Sequence, residues 1–163
     1  MTGTRNNPPP PRAGSGHPEP VKIDLGSLPA MAGDGVVAFA WSNVRPLKGV
    51  LGLLDWRLNG HISQAIMGGA FEGAAGTTLL IPTSGRLGQN RLFLIGLGPW
   101  YENAGLAAFV EGCARASEVV IKAGVKSVTL CLPSQGLHSE SLPDVASALQ
   151  SWGQPRVEAI LTV

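Results

Sequence analysis

Charge is the scarcest property of this chain. Only 14% of its residues are Asp, Glu, Lys or Arg, and 12 basic against 11 acidic side chains leave a net charge of +1. Soluble domains ordinarily carry about 25% charged residues. The basic residues stand singly from Arg5 to Arg156, so no stripe exists to displace counterions from a phosphate backbone or to hold an anionic bilayer. Neither nucleic acid nor membrane is expected as a partner. Cysteine is nearly missing: Cys113 and Cys131 make no disulfide framework and no zinc site, which takes about four clustered ligands. They read as buried thiols in a reducing compartment. The histidines, His17, His61 and His138, lack a second ligand-type residue at metal spacing, so neither metal nor cofactor is expected. No run approaches the roughly 20 apolar residues of a membrane span, and no secretory h-region opens the chain. The expectation is a cytoplasmic, soluble protein.

What is present suffices for one core. The 163 residues, 44% of them hydrophobic, fit a single domain under a prior of about 100–200 residues. Residues 1–20 contain Pro8 to Pro11, Pro18 and Pro20 and almost no large apolar side chain, so they read as a disordered tail. The folded domain is expected over 21–163.

Within it, Val21 to Leu25 alternates like an edge strand, and Val36 to Trp41 is apolar on both faces, as in a central strand. Pro46 suits a helix start, with Leu47, Val50, Leu51, Leu54 and Leu58 on one face. A second short helix is expected over His61–Met67. Thr77–Pro82 and Arg91–Ile95 should pair antiparallel, because the connection between them is too short for a helical crossover. Asn103 can cap a helix to about Ala123, with Leu106, Phe109, Val110, Cys113, Ala116, Val120 and the Lys122 stem near its inner side. A strand over Ser127–Leu132, a helix over Pro143–Trp152 and a strand over Val157–Val163 complete the pattern. Strands alternating with helices, plus one hairpin, predict a three-layer α/β/α sandwich with a mixed sheet.

The chemical inventory is thin. Asp55, the one acid in an otherwise apolar helix segment, reads as structural, and Glu72 has no companion carboxylate for acid–base work. Gly96-Leu97-Gly98-Pro99 follows a strand and precedes a helix, where backbone donors could receive an anion, but the third glycine of a dinucleotide fingerprint is missing. A tight strand-to-helix turn explains these glycines as well.

Three blocks in order carry a resemblance: Leu54-Asp55 with Leu58-Asn59-Gly60-His61-Ile62; Phe71-Glu72-Gly73-Ala74-Ala75-Gly76; and Arg91-Leu92-Phe93-Leu94-Ile95-Gly96-Leu97-Gly98. Together they resemble the amino-terminal domain of the leucyl (cytosol) aminopeptidases, from about Val36 to Leu132 and onward toward Val163. The resemblance implies a macro-domain-like fold. It also implies that the family's two metal ions and peptidase chemistry belong to a separate carboxy-terminal domain, whose Asn-Thr-Asp-Ala-Glu-Gly-Arg motif has no counterpart in this sequence. No catalytic residue carries over, and a non-enzymatic role is expected.

Three functions compete. The first is an interaction or regulatory module working through a protein partner or self-association, since Trp41, Trp56, Trp100, Tyr101 and Trp152 could supply the aromatic content of an interface. The second is macro-domain-like binding of a nucleotide or ADP-ribose-type ligand at strand ends, with Ser42, Asn43, Gly96, Leu97 and Gly98 as candidate contacts. Trp100 could block such a pocket. The third is a detached regulatory half of a metallo-aminopeptidase.

Overall fold

The computed structural model describes residues 18–24, 26, 31–88, 91–103, 105–137, 142–150, 152 and 155–163. Residues 1–17 of the expected 1–20 tail, with His17, and the loop residue His138 lie outside these, while Pro20, expected in the tail, opens the first strand and pairs with Ile160. The strands are β1 (Pro20–Lys22), β2 (Gly35–Trp41), β3 (Thr78–Pro82), β4 (Arg91–Gly98), β5 (Ser127–Cys131) and β6 (Arg156–Thr162). The helices are α1 (Gly49–Arg57), α2 (His61–Met67), α3 (Gly105–Lys122) and α4 (Leu142–Gln150). The strands form one sheet in the order β1-β6-β5-β2-β4-β3. All pairings are parallel except β3 with β4, which is antiparallel.

β2 shows why the sheet is covered on both faces. Its seven residues are all buried, and alternate side chains of a strand point to opposite sides. Val37, Phe39 and Trp41 enter one core with Phe109, Cys113, Ala116 and Val120 of α3 and Val145 and Leu149 of α4. Val36, Ala38 and Ala40 enter the other with Val50, Leu51 and Leu54 of α1 and Ile62 of α2. The result is the expected mixed-sheet α/β/α sandwich. Phe39 and Phe109 lock sheet to helix edge to face, with ring centroids 4.9 Å apart. α3 sits close because Gly112 has no side chain; a Cβ there would stand 2.5 Å from Leu97 Cδ2.

Three local expectations need correction. The first helix starts at Gly49, not Pro46, because Lys48 is extended (φ −124°, ψ 167°). The stretch before it crosses the sheet's end instead, packing Val44 on one core and Leu47 on the other. Asn103 is not the cap of α3: it lies two residues ahead of the helix with φ 71°, whereas a capping residue is extended. Finally, Val110 is 43% exposed and Lys122 faces solvent, where it pairs with Glu118. The buried stripe of α3 runs through Gly105, Phe109, Gly112, Cys113, Ala116 and Val120, so two glycines replace the larger side chains expected there.

Candidate functional site

In open α/β sheets, ligands favour the crevice beyond the carboxyl ends of the strands. Here that region lies beyond β2, β4 and β5, and the segments that follow them meet there. Trp41 ends β2 and donates its indole Nε1–H to the Gln135 carbonyl at 3.2 Å. Ser42 N–H donates to the Gly98 carbonyl at 2.8 Å. Asn43 then clamps the neighbouring loop in both directions: its Nδ2 donates to the Trp100 carbonyl at 2.9 Å, and its Oδ1 accepts from Trp100 N–H at 2.7 Å. Arg45 turns back over the strand end, its Nη1 donating to the Trp41 and Val44 carbonyls at 2.8 and 2.7 Å. The space left between Trp41, Arg45, Lys48, Ser134 and Gln135 is about 20 Å³. That admits a single water, whereas a small-molecule pocket holds roughly 300–1,000 Å³.

The glycines at 96 and 98 belong to β4 and serve close backbone packing. Gly96 N–H donates to the Thr77 carbonyl at 2.8 Å, and Gly98 N–H to the Gly73 carbonyl at 2.9 Å. A Cβ on Gly96 would stand 2.1 Å from the Ala74 carbonyl oxygen, and Gly98 has φ 80°. Both glycines thus hold the 71–77 loop against the strand. Leu97, between them, turns its buried side chain into the α3 core. Of the five candidate contacts, the structure joins Ser42 to Gly98 and Asn43 to Trp100, and the amide donors of Ser42, Gly96 and Gly98 are spent within the protein.

The start of α3 is covered as well. Gly136 (φ 84°) lies so close that a Cβ on Gly105 would stand 2.1 Å from its carbonyl oxygen. Outside this contact, Trp100, Tyr101, Glu102, Asn103 and Leu106 border an open depression of about 280 Å³. The carboxylate of Glu102 there opposes the field that a helix N-terminus offers to anions. Sequence reasoning missed Arg45, Gln135 and Gly136 because their roles depend on loops converging from three strands; only Trp100 gave a warning.

The remaining candidates resolve individually. Asp55 caps α2 from the preceding helix: its Oδ1 accepts from Ile62 and Ser63 N–H at 2.9 and 3.0 Å, and its Oδ2 from Ser63 Oγ at 2.5 Å. Glu72 and His61 are exposed. Cys113 and Cys131 are free and buried, and burial pushes both thiols far above the ordinary 9.0. Trp41 and Trp152 are core residues, while Trp56, Trp100 and Tyr101 are exposed. Among the described residues no three of His, Cys, Asp and Glu gather where they could hold a metal ion. No helix among them is long and apolar enough to cross a membrane.

The family model for the N-terminal domain of the cytosol aminopeptidase family matches residues 36–151. The chain belongs to the cytosol aminopeptidase family. A probable cytosol aminopeptidase of Syntrophotalea carbinolica is 33% identical over 114 residues, covering 69% of this chain and 22% of that protein. One from Thermosynechococcus vestitus is 28% identical over 125 residues, covering 76% and 24%. The chain therefore spans less than a quarter of the curated relatives it matches. Among solved structures, a tomato leucine aminopeptidase mutant superposes with a TM-score of 0.57 at 22% identity, covering 79% of this chain and 29% of that one. The macrodomain of Mycobacterium tuberculosis DarG gives 0.60 at 17% identity, covering 80% and 90%. That of Thermus aquaticus DarG gives 0.62 at 15%, covering 86% and 94%. At these identities the structural likeness establishes the macrodomain-type fold.

Proposed function

We propose that this domain of the cytosol aminopeptidase family is a non-catalytic interaction module, acting by binding protein in the cytoplasm rather than by transforming or enclosing a small molecule. One observation carries the reading: at the ends of β2 and β5 the chain's own Trp41, Arg45 and Gln135 leave a gap of about 20 Å³, and the neighbouring depression of about 280 Å³ at the start of α3 is open to solvent rather than enclosed. The amides that might hold an anion there already donate to carbonyls of the 71–77 loop and of Gly98. The surface, by contrast, displays Trp56 at 60%, Met67 at 82% and Tyr101 at 62% exposure, and large exposed aromatic side chains are the currency of protein contacts. A net charge of +1 gives no comparable support to nucleic acid.

The test couples two measurements on the full chain. A specific companion should be retained from a lysate of its own cell and reconstitute with the purified chain. The melting temperature should stay unchanged with millimolar ADP-ribose, because a ligand that binds the native state must raise it. A rise with ADP-ribose and no specific companion would overturn the proposal.

A further inference from the structure

We infer that the surface formed by Trp56, Arg57 and Arg86, at the end of the domain opposite the filled crevice, is the docking site for an acidic segment of a protein partner. The inference rests on the interaction reading and supplies the chemistry of the contact. α1 buries Val50, Leu51 and Leu54, and Trp56 lies off that stripe with 60% of its surface exposed. Arg57 follows it at the helix end. Its Nε donates to the Arg86 carbonyl at 3.3 Å, so the end of α1 and the β3–β4 loop are tied together and two arginines border one depression with Trp56. Trp56, Arg57, Asn59, Gly85 and Arg86 line this depression, of about 540 Å³ and open to solvent.

Charge decides the occupant. No carboxylate pairs with Arg57 or Arg86 among the described residues, whereas Arg115 and Lys122 share Glu118, and Arg156 has Glu158. Asp55, next to Trp56, is engaged by the amides of Ile62 and Ser63. Two guanidiniums recognise carboxylates in paired, directional hydrogen bonds, and the indole face takes an apolar or aromatic side chain between them. Tryptophan and arginine are the residue types that dominate binding energy at protein contacts. A ligand enclosed as a cofactor would need deeper walls, while an open depression fits one or two side chains of a larger surface. The chain's own proline-rich segment has the wrong sign, since Arg5 and Arg12 outnumber Glu19.

Residues 83–88 of the loop are also set before binding. Arg86 N–H donates to the Thr83 carbonyl and Gly88 N–H to the Gly85 carbonyl, each at 3.0 Å. Leu87 between them is buried, and its carbonyl accepts from Met31 N–H at 2.9 Å. Little backbone entropy is left for these residues to lose on docking.

The experiment is an NMR titration of the isotope-labelled full chain with the capped peptide Glu-Asp-Phe-Glu-Glu. The Trp56 indole N–H and the Nε–H signals of Arg57 and Arg86 should shift together. Trp56→Ala, and separately the pair Arg57→Gln with Arg86→Gln, should each weaken binding at least about tenfold with amide spectra otherwise folded. Arg91→Gln should leave it unchanged. No shift at these signals, shifts elsewhere, or equal affinity in the variants would overturn the inference. The same signals moving with inorganic phosphate alone would assign the site to a free anion, and their moving on concentration of the chain alone would assign it to a second copy; either result also overturns it. Failure here is distinct from failure of the interaction reading: a reconstituted companion that binds Trp56→Ala as tightly as the parent refutes this surface and leaves that reading standing.

Discussion

Asp55 shows a single side chain linking two helices. Its carboxylate satisfies two amides at the start of α2 and the Ser63 hydroxyl, groups a helix start otherwise leaves unpaired. Asp55→Ala should cost about 1–2 kcal/mol, read as a lower urea midpoint; an unchanged midpoint would contradict the capping role. Gly96→Ala is harsher, because its Cβ would meet the Ala74 carbonyl oxygen at 2.1 Å and either the strand or the 71–77 loop must move. A loss of about 4 kcal/mol is expected, and a loss below about 1 kcal/mol would show that the loop yields freely. The cysteines make a pH-dependent contribution. Native Cys113 and Cys131 hold protons that unfolded thiols release above the ordinary 9.0. The native state then binds more protons, so this stability is complete below that pH and falls as pH rises above it, by up to about 1.4 kcal/mol per unit for each thiol. Between pH 8 and pH 10 the parent's urea midpoint should drop further than that of Cys113→Ala/Cys131→Ala; equal drops would contradict it. At this scale the sequence disclosed Asp55, an acid stranded in an apolar helix. It did not disclose the glycines, because a turn and a close backbone approach demand the same residue.

Among the elements, the strands were the most legible. β2 and β4 are short apolar runs bounded by polar residues, and the brief loop between β3 and β4 required their antiparallel pairing. The starts of α1 and α3 were not, although α2 begins at His61 as expected, since what decides them is where the preceding loop is held. Pro46 offered a good first helical residue, yet the chain from Val44 to Lys48 is drawn across the sheet by both cores and α1 waits until Gly49. The clamp between Asn43 and Trp100 was equally hidden, because it joins residues 57 positions apart. Asn43→Ala removes both of its hydrogen bonds and should cost about 1 kcal/mol. Its clearer sign is faster amide exchange at Trp100; unchanged exchange would mean the two loops hold together without it.

For the molecule as a whole, a sheet covered on both faces and a filled strand-end crevice belong to one account. The alternation of buried side chains made the sandwich readable, and the order of three motifs made the family readable. Whether the crevice is open could not be read, because that depends on side chains arriving from β2, β4 and β5 together. With about 20 Å³ left between Trp41, Arg45 and Gln135, the proposed function lies on the outer surface. The most direct measurement is the mass of the purified chain by light scattering over a concentration series, alone and with the companion captured from its own cell. A defined complex whose mass accounts for both proteins is predicted. A mass fixed at 16.9 kDa under every condition would contradict the interaction role.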